Sequence, residues 1–222
     1  MKLEGLKINF LGDSITEGYG ASSAEKVYHA VLKQNAKLKE ARNYGIGGTR
    51  FALQKTKTIP LLEDFVDANS FCERFDQMDD DADVVVVFGG TNDYGHGDAP
   101  LGGFSDRTPD TFYGACHYLF RGLIKKYLGK TIVIITPLHR IFETRNTGEV
   151  KTIGIGTLKE YVDIIKEVAE YYSLPVLDLF ATSGIQPDIE EIKENYMPDG
   201  LHPNDNGNAI IAYQLQRFLE NL

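Results

Sequence analysis

Short apolar runs alternate along the chain with longer stretches in which apolar positions recur every three to four residues. The clearest run is "ADVVVVFGG" (82–90). Four valines and a phenylalanine in succession predict a strand buried on both faces, as in a parallel sheet. "KTIVIITP" (130–137) has the same character and is closed by Pro137. "KINFLG" (7–12), "RNYGIGG" (42–48), which runs into a Gly-rich turn, and "LPVLDLF" (174–180) predict three further strands. Between them, residues 24–41 place Val27, Val31, Leu32 and Leu38 on one helical face. Thr108-Pro109 predicts an N-cap and first helical position, with a helix to about Leu128 and a stop at Gly129. Residues 157–172 are amphipathic, and a last helix starting at Asn204 or Asp205 carries Ile210, Ile211, Tyr213, Leu215 and Leu219.

Strands separated by helices imply βαβ units with right-handed crossovers. The expected architecture is a flavodoxin-like, three-layer α/β/α fold with a five-stranded, mostly parallel sheet. Neither an internal repeat nor a low-complexity linker divides the chain, so residues 1–222 are expected to form a single domain. In such sheets ligands bind beyond the carboxyl ends of the strands.

Those ends carry chemistry. Gly12, Asp13 and Ser14 follow the first strand, and Gly47, Gly48, Thr49 and Arg50 the second. Gly89 to Asp93 follow the third, His139 lies after the fourth, and "MPDGLHPN" (197–204) precedes the last helix. A serine hydroxyl becomes a nucleophile when a base takes its proton, and histidine is the usual base. A carboxylate fixes that imidazole's tautomer. Asp199 and His202 are spaced to pair locally. An oxyanion needs donors placed in advance. Ser14 N–H, Gly48 N–H and the Asn92 amide supply three. Asp13, Arg50, His96 and His139 lie on the same rim and are expected to meet substrate.

Composition narrows the partners. Lys plus Arg is 23 against 32 Asp plus Glu, a formal charge of −9. An acidic surface repels nucleic acid and anionic membranes, so neither is an expected partner. Cys72 and Cys116 have no CxxC spacing and read as reduced, partly buried thiols. "MKLEGLKINF" lacks the apolar core of a signal peptide, and no run of about 18 apolar residues exists, so a cytoplasmic location without a membrane span is expected. The "DDDAD" run (79–83) reads as a solvated loop rather than a metal site, and no metal or cofactor is expected. His29 and His117 fall in predicted helices and read as surface or semi-buried residues.

The rim residues together resemble the GDSL or SGNH hydrolase superfamily. Its blocks are Gly-Asp-Ser, Asn-x-x-x-x-Gly, Gly-x-Asn-Asp and Asp-x-x-His. The chain offers "GDS" at 12–14, "NYGIGG" at 43–48, "GTND" at 90–93 and "DGLH" at 199–202, in that order. The first block reads GDSI rather than GDSL, and Ile15 keeps the fourth position apolar. The resemblance implies Ser14 as nucleophile, His202 as base and Asp199 as its orienting acid. It implies Ser14, Gly48 and Asn92 as the oxyanion hole; counting from Asn43, the family's glycine is Gly48 rather than Gly45 or Gly47. None of the seven serines has glycines at both minus two and plus two, which excludes the α/β-hydrolase nucleophile elbow.

The expected activity is serine-dependent hydrolysis of a carboxylic ester. Residues 94–107 and 138–156 are expected to be specificity loops. Their Tyr, Arg, His and Asp suit a hydroxylated, short-acyl substrate such as an O-acetylated carbohydrate. Lysophospholipid or thioester substrates are the alternative within the family. A non-catalytic binding module of the same fold is the alternative outside it. For Ser14 the competing assignment is a helix N-cap.

Overall fold

The computed structural model describes residues 1–53, 70–97, 99–146 and 156–222. Five strands form one sheet: β1 (Lys7–Gly12), β2 (Glu40–Gly45), β3 (Val84–Phe88), β4 (Thr131–Ile135) and β5 (Val176–Leu177). Their order is β2-β1-β3-β4-β5 and every pairing is parallel. That is the flavodoxin-like, doubly wound order.

Both faces of the sheet are covered, so alternate residues of one strand feed two different cores. Val84, Val86 and Phe88 join Ile8 and Phe10 under α2 (Tyr28–Ala36) and α9 (Asp205–Glu220). Val85 and Val87 join Leu11 on the opposite face, under α5 (Phe112–Lys126) and α6 (Leu158–Tyr171). Four consecutive valines are thus two pairs, each fully buried. Burying such a side chain stabilises by about 1.5–3 kcal/mol.

The acidic run lies at the opposite end of the sheet from the rim. Asp81 pairs with Lys7 and Arg42 at 2.5 Å each, and Asp80 pairs with Lys126. The carboxylates of these pairs are exposed and their cationic partners half-buried, so solvent screens the attraction. Among the described residues no helix is long and apolar enough to cross a membrane.

Several predicted boundaries move. The cap of α5 is Thr111, whose hydroxyl accepts from Gly114 N–H at 3.1 Å, not Thr108. The predicted helix over 24–41 is a 3-10 turn (Ala24–Lys26), an extended Val27, and then α2. It ends where Lys37 turns left-handed at φ 53°. β2 begins two residues early, at Glu40; it gives way to the expected glycine turn after Gly45, where Asn43 Oδ1 accepts Gly45 N–H at 2.7 Å. β5 keeps two residues because Asp178 caps the next helix, α7 (Leu179–Thr182). His29 and His117 are buried rather than surface or semi-buried, and the cysteines, expected to be partly buried, are buried as well.

Candidate active site

The first rim element is a sharp turn from β1 into the short helix α1 (Ser14–Glu17). Gly12 is required there: a Cβ would lie 1.9 Å from Thr16 Oγ1. The N-cap is Asp13, whose Oδ1 accepts Ile15 N–H at 3.0 Å. Capping therefore falls to Asp13 and leaves the Ser14 hydroxyl unused by the helix. That hydroxyl instead sits 3.0 Å from His202 Nε2.

His202 is delivered by the segment between α8 (Glu190–Tyr196) and α9. Asp199 organises it. Asp199 Oδ1 accepts Leu201 N–H at 2.9 Å and His202 N–H at 2.7 Å, while Oδ2 faces His202 Nδ1 at 2.7 Å. A carboxylate in that place puts the proton on Nδ1 and leaves Nε2 to accept from Ser14. Partial burial raises the Asp199 carboxyl, but the His202 side chain and the two backbone N–H groups outweigh it and hold it down at about 2. Gly200, at φ +75°, lets the loop turn back against Ile141, whose N–H donates to Gly200 O at 3.0 Å.

The segment after β2 is bound to the other rim elements. Ile46 N–H donates to Gly12 O at 3.1 Å, and a Cβ on Gly47 would lie 3.7 Å from Ser14 Cβ. Gly47 N–H is taken by the Glu17 carboxylate at 2.7 Å. Gly48, at φ +72°, follows it. Among the described residues, Ser14 N–H and Gly48 N–H donate to no protein acceptor. Helix α4 (Thr91–Gly95) braces this segment. Asn92 Nδ2 donates to Thr49 O at 3.2 Å, fixing the amide and leaving its second N–H for a ligand. Asp93 accepts Phe51 N–H at 2.9 Å and Ala52 N–H at 3.0 Å.

The other predicted rim residues are placed differently. Asp13 and Arg50 are 2% and 1% exposed. Both side chains are buried, and Asp13 Oδ1 is taken by Ile15 N–H. His139 is half-buried, bonded to Glu143 at 2.7 Å and set against the Phe180 ring at 3.8 Å. His96 is half-buried at the end of α4, its N–H donating to Asn92 O at 2.8 Å. Of the two predicted specificity loops, residue 98 and residues 147–155 lie outside the described residues.

Three residues with no motif also shape the site. Arg74, the last residue of α3 (Phe71–Arg74), is buried and donates to Gly12 O at 2.7 Å and Tyr44 O at 2.5 Å, joining the ends of β1 and β2 under the serine turn. Glu17 holds Gly47. Tyr19 lays its ring against His202, with centroids 4.5 Å apart. Only Tyr19 left a trace in the sequence, as an aromatic residue between two glycines in "EGYG".

Burial pushes the Asp13 carboxyl up from 3.8 to about 6; Ile15 N–H, His202 and Arg74 oppose the rise and Asp93 adds to it. A raised carboxyl makes the folded state hold a proton that the unfolded chain has released. Stability therefore falls as pH rises from about 4 through 6, by about 3 kcal/mol in all. Asp13→Asn keeps the acceptor for Ile15 N–H and never ionises. Its stability relative to wild type should climb by that amount between pH 4 and 7, then level off. Urea titrations across this range measure the difference; a constant offset would contradict the assignment.

The chain is similar to several solved structures. One solved structure is 32% identical, with TM-score 0.85, covering 100% of this chain and 99% of its own. A protein from Lactobacillus plantarum is 29% identical, with TM-score 0.82 and 98% of both chains covered. A carbohydrate acetylesterase family member from Sinorhizobium meliloti is 18% identical, with TM-score 0.65, covering 97% of this chain and 98% of its own. No curated protein matches the chain by sequence. The profile of the GDSL-like Lipase/Acylhydrolase family matches residues 10–210, most of the chain, and the chain belongs to that family of ester hydrolases.

Proposed function

We propose that the protein hydrolyses a carboxylic ester through an acyl-enzyme on Ser14, with residues 1–222 acting as one catalytic unit. The observation that carries this reading is the continuous hydrogen-bond chain Ser14–His202–Asp199. Ser14 Oγ attacks the ester carbonyl carbon as His202 Nε2 takes its proton. The carbonyl electron pair moves onto oxygen, where Ser14 N–H, Gly48 N–H and Asn92 Nδ2 receive it. Collapse breaks the bond to the alcohol oxygen, which leaves with the proton from His202. Water then attacks the acyl carbon and gives a proton to His202; collapse breaks the bond to Ser14 Oγ, which takes that proton back as the acid leaves.

The acyl group is short in this reading, and the alcohol hydroxylated, as in an O-acetylated carbohydrate. Support comes from the polar side chains of the rim. The Sinorhizobium meliloti carbohydrate acetylesterase family member shares the fold; at 18% identity that lends an architecture and no more.

The test is hydrolysis of p-nitrophenyl acetate, butyrate and octanoate, together with labelling by a serine-directed phosphonate. The expected result is fastest turnover of acetate, with the adduct mapped to Ser14. Preference for octanoate would favour the longer-acyl alternative. No turnover above background and no adduct would favour a non-catalytic binding module.

A further inference from the structure

We infer that Tyr19 is the wall on the alcohol side of the site and selects esters whose alcohol is a sugar ring. This rests on the ester hydrolysis proposed above and concerns the half of the substrate that the motifs do not address.

Tyr19 is 65% exposed, yet its position is tightly determined. Gly18 at φ +115° and Gly20 at φ +92° flank it, both in the left-handed region that favours glycine. Its N–H donates to Ser14 O at 2.8 Å. Side chains on the flanking glycines would not fit: a Cβ on Gly18 would lie 2.6 Å from Val27, and one on Gly20 2.7 Å from Pro203 O and 3.0 Å from His202 Cβ. Farther along, Ser22 is tied to Asp205 at the start of α9 through its N–H at 2.8 Å and hydroxyl at 2.7 Å. The whole segment is fastened to the loop that carries His202. The tyrosine ring meets the imidazole at 59°, and the His202 side chain is only 14% exposed.

The chemistry then assigns a side. His202 must return its proton to the departing alcohol oxygen, so that oxygen has to approach Nε2. The oxyanion donors Gly48 and Asn92 come from the segments after β2 and β3. Tyr19 instead comes from the segment after α1 and packs on His202 itself. A fixed, exposed ring beside the leaving oxygen offers an apolar face to the C–H face of a pyranose and a phenol hydroxyl to its edge. A small alkyl alcohol would use neither.

The experiment compares ethyl acetate with a mono-O-acetylated methyl pyranoside, using wild type, Tyr19→Phe and Tyr19→Ala. For Tyr19→Ala the loss in kcat/KM on the sugar ester should exceed that on ethyl acetate by about tenfold, carried mainly by KM. Tyr19→Phe should recover most of the difference. Equal losses on both esters would overturn the inference, because the ring would then only support His202. Hydrolysis of ethyl acetate alone would overturn it too. If wild type cleaves neither ester, the short-acyl hydrolase reading fails. Saturation-transfer NMR with the unesterified methyl pyranoside then decides on Tyr19: a signal lost in Tyr19→Ala supports the wall, and a signal absent from wild type or unchanged by the substitution refutes it.

Discussion

Ser14→Ala is expected to lower kcat for p-nitrophenyl acetate by about 10⁵-fold or more, to the level left by the oxyanion donors and binding alone. The reason is specific to the turn. Ser14 Oγ touches His202 Nε2 at 3.0 Å, while the helix that begins at Ser14 is capped by Asp13. The substitution removes a nucleophile without removing a cap. Ser14 N–H stays where it is, so the oxyanion hole is not emptied. The melting temperature should accordingly stay within about 2 °C of wild type. A capping serine would behave in the opposite way, keeping activity and losing about 1 kcal/mol of stability. Initial rates and a thermal melt on one preparation separate the two. Full activity in Ser14→Ala would end the serine mechanism.

That contrast shows what the sequence can and cannot disclose. β3 and β4 are legible because burial on both faces forces every position to be apolar. β5 is legible in its place but not in its extent, because the run "LPVLDLF" is equally apolar where it turns into α7; only the Asp178 cap, a local polar contact, ends the strand. The start of α5 is misread for a similar reason. Thr108-Pro109 and Thr111 are both good starts by composition, and the hydrogen bond to Gly114 N–H decides for Thr111. In the site, residues that contact one another across 188 positions, Ser14 and His202, can be named from motifs because each block carries its own spacing. Arg74 and Glu17 carry no such spacing. They act through the backbone of strands and turns that are distant in sequence, and tertiary approach alone brings them there. Asp13 and Arg50 show a further gap: being next to a strand end says nothing about how deeply a side chain is buried.

Asp199→Asn should lower kcat/KM by about 10⁴-fold while leaving the loop folded. The wild-type carboxylate divides its oxygens: Oδ1 accepts two backbone N–H groups, from Leu201 and His202, and Oδ2 accepts from the imidazole Nδ1. An asparagine has one acceptor and one donor group to fill the same places. Two backbone donors compete for the acceptor, so the amide oxygen takes their side and the amide NH₂ turns to Nδ1. Nδ1 must then be the unprotonated nitrogen, and the proton moves to Nε2, facing Ser14. The base is left with its only lone pair pointing away from the nucleophile. The defect is one of tautomer, so lowering the pH cannot reproduce it in wild type until Asp199 itself takes a proton, near pH 2. The wild-type acid limb above that pH therefore belongs to groups other than Asp199. Two measurements check this: kcat/KM for both proteins across pH 5 to 9, and the imidazole ¹⁵N shifts, which distinguish the Nδ1–H from the Nε2–H form. Wild-type shifts in an inactive Asp199→Asn would overturn the tautomer argument, and near-wild-type activity would remove Asp199 from the mechanism.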